Sequence, residues 1–314
     1  MLSNALKNEY KFKDFSHFEE MISLTGHIEH SQMDCGIFSG ELTQIICGPV
    51  IIHWHRMNRK ILQNGNGISG FTTFLLIDNL EEDLYWRKKK LNGNTLGILR
   101  PNMEHNCITP VNFSAISITI ENAYLEKFVL LFGYEQFFRA IKTKETLVID
   151  IEKAQKIRQL VTSLCKYEII DAKIVSSHLT KLIIEAILSS HSDGSYKVGL
   201  SRGKIFEQAK EIIHNNFENP ISVPSLVKEL GTSERNLRYS FKQHAGISPK
   251  KYINYYRLNR ARKLIAGGKI EKIVDASHEI GFWHTGKFAA DYRRLFGEYP
   301  SQTKQSATSS YHKF

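Results

Sequence analysis

Four side chains suited to contacting DNA lie on one face of a helix predicted to begin after Ser233. On a wheel of 100° per residue, Leu237 and Phe241 share the inner face of this helix. The opposite face carries Arg235, Arg238, Tyr239 and Lys242. Arginine matches the O6 and N7 acceptors of guanine, and lysine neutralises phosphate. We therefore predict that these four residues read base sequence in a DNA groove.

A second helix with similar spacing follows about fifty residues later. Phe288 and Tyr292 face inward, whereas the outer face is nearly bare. The residues predicted to contact DNA here are Thr285, Gly286, Lys287, Ala290 and Arg293. Such a face can come close to DNA but offers few side chains that discriminate between bases. We therefore predict that the first helix reads sequence and that the second contributes mainly backbone contact and shape.

Both helices belong to a pattern that occurs twice in the chain. Gly231 and Gly281 are 50 residues apart, and Pro249 and Pro300 are 51 residues apart. In each copy a short apolar helix stops at a glycine, which adopts the left-handed conformation without strain. The second helix begins three or four residues later, which is the pattern of a helix-turn-helix. A duplication is the simplest cause.

Motif residues recur at fixed spacing through the last hundred residues or so. They are Gly231, Phe241-Lys242, Gly246-Ile-Ser-Pro249, Tyr252, Arg257-Leu258, Ala261, Gly281-Phe282, Phe288, and Gly297 before Pro300. This set resembles the DNA-binding domain of the AraC/XylS family of bacterial transcription regulators. Gly286 departs from the family, which often has serine there, and weakens its helix by about 1 kcal/mol relative to alanine.

The resemblance implies a mode of DNA binding and a set of partners. Two recognition helices would enter successive major grooves on one side of the duplex, joined by a long helix from about Pro249 to Ala266. Promoter DNA and RNA polymerase are the expected partners, and activation is more usual in the family than repression. The usual N-terminal domain is a cupin-like barrel that binds a small effector, and dimers commonly form through the helices after the barrel.

Two histidines in the first half could take part in chemistry of a different kind. His53 and His55 flank Trp54 on a predicted strand, so their imidazoles share a face. Divalent metals need several converging N or O ligands, and Arg56 to Arg59 supply no carboxylate at the spacing such a site requires. Three interpretations remain open: ordinary barrel residues, hydrogen bonds to an effector, and a metal site. We predict effector binding by His53, His55, Arg56 and Arg59, with no catalytic residue, metal or cofactor.

The excess positive charge of the chain is confined to its last third. Residues 200–314 hold 20 Lys and Arg residues against 10 Asp and Glu residues, whereas residues 1–199 hold 22 of each kind. At 314 residues the chain is long enough for two domains. We predict an effector-sensing or dimerisation domain at 1–192, a linker at 193–200 and a DNA-binding domain at 201–314. The basic excess in the last of these favours a polyanionic partner.

Hydrophobic periodicity predicts an α+β chain whose DNA-binding domain is entirely helical. Period-two alternation predicts six strands, at 37–47, 50–57, 70–77, 84–87, 95–99 and 113–120. Strands without intervening helices indicate an antiparallel sheet closed into a barrel or sandwich. The resemblance favours a cupin-like barrel, at about 30–121. Helical periodicity predicts helices at about 12–28, within 122–191, and at 202–217. The helices within 122–191 could pack on the barrel, form a dimer seam, or do both.

Cysteine usage and apolar run lengths bear on the cellular location. The four cysteines are widely spaced and form no CxxC pair, which indicates reduced thiols. The sequence has no apolar signal core and no run of about 18 apolar residues. We therefore expect a cytoplasmic protein that does not enter a membrane.

The sequence as a whole favours a DNA-binding transcription regulator, and an activator by resemblance, that is not an enzyme. Its N-terminal domain would sense a small molecule, form a homodimer, or both. One alternative is a cupin-type metalloenzyme fused to a DNA-binding module. Another is a DNA-binding protein without an effector, whose N-terminal domain only dimerises.

Overall fold

The computed structural model describes ten stretches of the chain. They are residues 4–22, 26–79, 84–86, 89–91, 93–142, 144–190, 200–217, 221–268, 270 and 272–311. The predicted linker at 193–200 lies outside these stretches except for its last residue. The chain forms two compact units. The first comprises Met1–His30, Ser39–Asn58 and Gln63–Tyr196, and the second comprises Ser31–Phe38, Arg59–Leu62 and Lys197–Phe314.

The strands form two sheets, and every pairing with a described register is antiparallel. The strands are β1 Leu6–Phe12, β2 Gly26–Gln32, β3 Gly40–Cys47, β4 Val50–Met57, β5 Ile61–Gly67, β6 Phe71–Asn79, β7 Leu84–Trp86, β8 Lys89–Leu91, β9 Thr95–Leu99, β10 Glu104–Ile108, β11 Phe113–Glu121 and β12 Thr146–Val148. One sheet has the order β1-β3-β4-β11-β6-β9-β12, and the other has the order β2-β5-β10-β7-β8. These are two open sheets, not one closed barrel. The six predicted strands correspond to β3, β4, β6, β7, β9 and β11, so the prediction was six too few.

Five helices of the described chain belong to the first unit. They are α1 Phe15–Ile22, α2 Asn122–Phe132, α3 Gln136–Lys142, α4 Ile151–Leu164 and α5 Ala172–Leu188. Apolar side chains of α2 to α5 form one buried cluster with side chains of β3, β4, β6, β9 and β11. The helices after the sheet strands therefore pack on the seven-stranded sheet. The helix predicted at 12–28 is shorter, because the chain before it forms β1 and the chain from Gly26 forms β2.

The described part of the second unit is helical apart from short extended segments. Its helices are α6 Leu200–Asn215, α7 Val223–Glu229, α8 Glu234–Ala245, α9 Pro249–Ala266, α10 Ile273–Glu279, α11 Thr285–Phe296 and α12 Pro300–Tyr311. Helix α9 has the predicted bounds, and its 18 residues span about 27 Å at 1.5 Å per residue. Helix α6 begins and ends two residues earlier than predicted. In the described part of the chain, no helix combines the length and apolar character needed to cross a membrane.

The inner faces of α8 and α11 are buried as predicted. Leu237, Phe241 and Tyr292 are 0% exposed, and Phe288 is 1% exposed. Fully burying a side chain of this kind contributes about 1.5–3 kcal/mol. Each helix ends at a glycine in the left-handed conformation, with φ of 71° at Gly246 and 77° at the equivalent position of α11. The two helices therefore present their remaining faces to solvent.

Candidate nucleic-acid interface

Helix α8 is fixed at both ends, which orients its outer face. The Ser233 hydroxyl accepts a hydrogen bond from the backbone N–H of Asn236 at 3.2 Å. This bond satisfies one of the free N–H groups at the start of the helix. The four predicted DNA-reading residues, Arg235, Arg238, Tyr239 and Lys242, are all exposed. They line a single concavity of about 1020 Å³, so the structure brings all four together.

Side-chain contacts already organise this face. The guanidinium of Arg235 lies 5.5 Å from the centre of the Tyr239 ring, and that of Arg202 lies 5.5 Å from the same centre. Arg238 donates to the Glu234 carboxylate at 3.0 Å from Nε and at 2.6 Å from Nη2. Both members of this pair are more than half exposed, so solvent screens the attraction and Arg238 can exchange its partner for a DNA acceptor.

Two lysines of the same concavity were not predicted. Lys250 and Lys251 lie in the first turn of α9 and line the concavity beside the outer face of α8. They could have been identified from the sequence, because they form a basic pair directly after Pro249, where a helix is predicted to begin. Arg202 in α6 gave no such signal, because its part in the surface depends on the packing of α6 against α8.

Helix α11 presents a shallower and less charged surface. Its N-cap residue, His284, makes no side-chain capping bond. Its outer face lines a concavity of about 530 Å³ with Gly286, Ala289, Ala290 and Arg293. These small side chains place the helix backbone near the surface, as predicted.

Among the predicted DNA contacts of α11, Arg293 is held in place by a neighbouring side chain. Arg293 donates to the Tyr299 hydroxyl at 2.6 Å, and its guanidinium lies 4.7 Å from the centre of that ring. Thr285 and Lys287 are exposed, and Lys287 lines a further groove of about 960 Å³ with Lys250 and Lys251. Eight of the nine predicted DNA contacts thus line three concave surfaces of the second unit, and the ninth, Thr285, is exposed at the start of α11.

An exposed tryptophan at the turn before α11 was not predicted. The side chain of Trp283 is 75% exposed and lines the 960 Å³ groove. Its ring centre lies 5.8 Å from that of His278. The identity of the residue was visible in the sequence, but its exposure was not, because an aromatic residue beside Phe282 would ordinarily be assigned to the core.

In the first unit, one hydrogen-bonded chain of buried side chains runs through β7, β10, β5 and β2. The indole N–H of Trp86 donates to Nδ1 of His105 at 3.1 Å, which leaves the proton on Nε2. That Nε2 lies 3.1 Å from Oε1 of Gln63, and Nε2 of Gln63 lies 3.3 Å from Nε2 of His30. Cys107 Sγ donates to the same Gln63 oxygen at 3.3 Å. None of these residues was predicted to belong to a site.

The two predicted histidines lie beside this chain on β4. Nε2 of His53 lies 2.9 Å from Nε2 of Gln44, whereas Nε2 of His55 is buried and has no hydrogen-bond partner among the described residues. Burial lowers the pKa of His53 to about 4. Burial, and then the neighbouring imidazoles, lower the pKa of His55 to about 3. Both rings are therefore neutral at physiological pH.

The two arginines predicted with them lie elsewhere. Arg56 is on the opposite face of β4, with its guanidinium 4.2 Å from the centre of the Trp54 ring. Arg59 belongs to the second unit, where it donates to the carbonyl oxygens of Cys35 and Ile37, each at 3.1 Å. The structure therefore brings the two histidines together without the two arginines. In the described part of the chain, no three His, Cys, Asp or Glu side chains are arranged to hold a metal ion.

Comparison with known proteins matches the helical unit. The family model described as a helix-turn-helix domain matches residues 226–306. The XylDLEGF operon transcriptional activator 2 of Pseudomonas putida is 32% identical over 133 residues, which cover 41% of this chain and 85% of that protein. Activator 3 of the same operon and organism is 33% identical over 132 residues, which cover 41% of this chain and 40% of the relative. The chain thus spans less than half the length of activator 3.

A solved structure also matches part of the chain. It is a transcriptional regulator of Chromobacterium violaceum described as having an AraC-type DNA-binding domain. It is 30% identical, covers 34% of this chain and 95% of its own, and superposes with a TM-score of 0.32.

A basic and aromatic face on a capped helix, with its apolar face in a helical core, defines a DNA-binding protein of the helix-turn-helix class. The relatives identify the family within this class to which the chain belongs. The chain belongs to the AraC/XylS family of transcription regulators.

Proposed function

We propose that this chain is a sequence-specific DNA-binding transcription regulator with two helix-turn-helix motifs, α7–α8 and α10–α11. The observation that carries the proposal is the outer face of α8. Its four exposed residues, with side chains suited to bases and phosphates, share one concavity with Lys250 and Lys251. The concentration of positive charge in residues 200–314 supports the same conclusion.

The two recognition helices read DNA unequally. Helix α8 offers Arg235 and Arg238 to base edges, and each good bidentate contact discriminates by about 1–3 kcal/mol. Helix α11 offers Gly286 and Ala290 at its surface, and its Arg293 is held by Tyr299. Helix α11 therefore contributes backbone contact and shape, with Thr285 and Lys287 at its margin.

The first unit senses a small molecule through its buried histidines. The support is His55, whose buried Nε2 has no partner in the part of the chain that the structure describes and would gain a hydrogen bond from a ligand. A neutral imidazole favours an uncharged polar ligand over an anion. The two sheets would form the interior of a cupin-like domain. Such a ligand acts only by binding differently to the DNA-competent and DNA-incompetent states.

A homodimer and RNA polymerase are the proposed protein partners, and activation is the proposed outcome. Leu130, Leu131 and Phe132, at the end of α2, are 68%, 77% and 54% exposed. An apolar group of this kind on a helix after the sheets suits a dimer contact. The metalloenzyme alternative is not favoured, because the relatives that the chain matches are transcriptional activators.

The proposal is tested by selecting DNA with the purified full-length protein. Sheared genomic DNA from its host is mixed with the protein at about physiological salt, and the retained fragments are sequenced. We expect fragments that share a motif with one well-defined half and a looser half about one helical turn away. Retention of DNA without a shared motif, weakening steeply with salt, would contradict sequence-specific binding.

Variants then test the division of roles. Arg235→Ala and Arg238→Ala should relax base preference at defined positions of the well-defined half. Lys250→Ala is the matched control, since loss of a phosphate contact should weaken all sequences alike and reduce the salt slope by about one. The division is wrong if Lys287→Ala or Ala290→Ser changes base preference more than the arginine variants do.

A further inference from the structure

Two short segments of the second unit, Ser31–Phe38 and Arg59–Leu62, pack against its helices; we call them together the brace. The sequence predicts structure only for the last two residues of the first segment, which begin the strand predicted at 37–47. Yet Gln32 is 1% exposed, and Asn259, in the middle of α9, is 0% exposed. Burying an amide costs free energy unless hydrogen bonds replace those to water. The hydrogen-bond partners of these two side-chain amides show which helices the brace is attached to.

Asn259 binds both backbone groups of one brace residue. Its Oδ1 accepts from the backbone N–H of Gln32 at 2.7 Å, and its Nδ2 donates to the Gln32 carbonyl oxygen at 2.8 Å. The same Nδ2 donates to the carbonyl oxygen of Tyr255 at 2.7 Å, which fixes the side chain against its own helix. A side-chain amide supplies a donor and an acceptor on adjacent atoms, which matches the N–H and C=O groups of one residue. The brace is therefore attached to α9 by a paired and fully buried contact.

The side chain of Gln32 reaches α11 from the same point. Its Nε2 donates to the carbonyl oxygen of Leu295 at 2.8 Å, and the backbone N–H of Gly36 donates to that oxygen at 2.9 Å. Leu295 lies in the last turn of α11, where carbonyl groups lack partners within the helix. One brace residue thus joins the linker helix to the end of the second recognition helix.

The brace also lies against the glycines that end both recognition helices. A Cβ on Gly246, after α8, would lie 2.7 Å from Nζ of Lys60. A Cβ on Gly297, after α11, would overlap Cγ1 of Ile37. The brace therefore contacts α9 and the end of α11, and it lies against the glycine that ends α8.

Bonds within the brace keep its shape. The backbone N–H of Met33 donates to the Lys60 carbonyl at 2.7 Å, and that of Lys60 donates to Asp34 Oδ1 at 2.8 Å. Arg59 donates to the carbonyl oxygens of Cys35 and Ile37, each at 3.1 Å. These bonds hold the brace in one conformation. The brace therefore keeps the helices that it contacts at a fixed distance from one another.

We propose that the brace sets the relative placement of α8 and α11, and so the spacing between the two DNA half-sites that the protein accepts. Gln32 and Asn259 are the positioning residues. The proposal rests on the proposed function, since it assumes that both helices contact DNA. One base pair of added spacing moves a half-site by about 3.4 Å and rotates it by about 34°. Two helices in fixed positions cannot contact both half-sites after that change. Two helices that can move relative to each other can still contact both.

The test measures binding to duplexes that carry the selected site with zero, one or two base pairs added or removed between its halves. The proteins are the full-length wild type, Asn259→Leu and Gln32→Met. Asn259→Leu removes both bonds to the Gln32 backbone. Gln32→Met keeps those two bonds and removes the bonds that Gln32 Nε2 donates to the carbonyl oxygens of Asp34, Gly36 and Leu295. Ser277→Ala is the control, because its buried hydroxyl bonds within α10, to the carbonyl oxygen of Val274 at 2.8 Å. A duplex with only the well-defined half reports on α8 alone.

We expect the wild type to prefer one spacing by about tenfold, equivalent to about 1.4 kcal/mol. Asn259→Leu should reduce this preference to about threefold or less, with an intermediate value for Gln32→Met. Both variants should bind the half-site duplex within about twofold of wild type, because α8 keeps its own contacts, such as the bond that the Ser240 hydroxyl donates to the carbonyl oxygen of Arg202 at 2.6 Å.

Three outcomes would overturn the proposal. An unchanged spacing preference in Asn259→Leu would show that the brace does not position the helices. Equal losses on half-site and full-site duplexes, or a matching loss in Ser277→Ala, would reduce its role to general stability. If the wild type binds no DNA with sequence preference, the proposed function itself fails, and that failure is distinct from the first two.

Discussion

Lowering the pH should destabilise the first unit, because it buries two neutral histidines. The pKa of His53 is lowered to about 4 and that of His55 to about 3, from 6.5 in the unfolded chain. Between these values the unfolded chain binds more protons than the folded chain. The contribution of each histidine to stability is therefore complete above pH 6.5 and is lost progressively as the pH falls toward 4 and 3.

The size of the effect follows from the pKa differences. At pH 5 an unfolded imidazole is almost fully protonated, whereas neither buried ring is. At about 1.36 kcal/mol per pH unit, each histidine then costs about 2 kcal/mol relative to pH 8, and the two together cost about 4 kcal/mol. That is a large part of the 5–15 kcal/mol that typically stabilises a domain.

The assay is urea unfolding followed by tryptophan fluorescence. In a Trp283→Phe background the remaining tryptophans, Trp54 and Trp86, both report on the first unit. We expect His53→Gln and His55→Gln each to reduce the loss of unfolding free energy between pH 8 and pH 5 by about 2 kcal/mol. Replacing the exposed His178 of α5 with Gln is the control and should leave the loss unchanged.

A second observable does not depend on how well the variants fold. The imidazole proton resonances of His53 and His55, assigned by their absence from the variants, should not shift between pH 8 and pH 5 in the native protein. Titration of either ring near pH 6.5 would refute the reasoning. A loss of stability between pH 8 and pH 5 that is the same in wild type and both variants would refute it too.

Three further predictions concern the second unit. Ser233→Ala should lower its unfolding free energy by about 1 kcal/mol, since it removes the cap of α8, and chemical denaturation would measure this. Glu234→Gln should raise DNA affinity and steepen its salt dependence, because Arg238 loses its carboxylate partner; unchanged affinity in a salt titration would contradict this. Gly297→Ala should lower the thermal midpoint, because a positive φ costs a residue with a Cβ about 1–2 kcal/mol and Ile37 must also move. A midpoint equal to wild type would show that neither strain nor overlap matters there.

The helical unit was largely predictable from its sequence, for local reasons. Glycine at 246 and 297 and serine at 233 mark helix ends through their own backbone and capping chemistry. The four outer residues of α8 follow from a helical wheel once the helix is placed. Lys287 and its neighbours on α11 were located in the same way, whereas the exposure of Trp283 requires knowledge of the turn geometry.

The first unit was less predictable, because its missing strands do not alternate. Strand β10 reads Glu-His-Asn-Cys-Ile and buries His105 and Asn106, so a polar sequence marks an interior strand. Strand β5 contains Gly65 and Gly67, which resemble turn residues. Its Gln63 is buried in the hydrogen-bonded chain, and no periodicity rule detects such a bond.

The brace could not be predicted from the sequence. Ile37 and Phe38 extend the apolar alternation of β3, so the strand was predicted to begin at 37 and not at Gly40. Their grouping with the helical unit depends on backbone contacts such as that of Gln32 with Asn259, and backbone groups are the same in every residue. A backbone contact between residues far apart in the sequence therefore cannot be recognised from the amino-acid sequence.

The two recognition helices share their inner positions and differ in their outer ones. Leu237 matches Phe288, and Phe241 matches Tyr292, and all four are buried. The outer residues of α8 are exposed and contribute little to the core. A mutation on the outer face can therefore alter the preferred promoter at little cost to folding. A chain built in this way can acquire new target genes step by step, and an engineer could retarget it by exchanging those four outer positions alone.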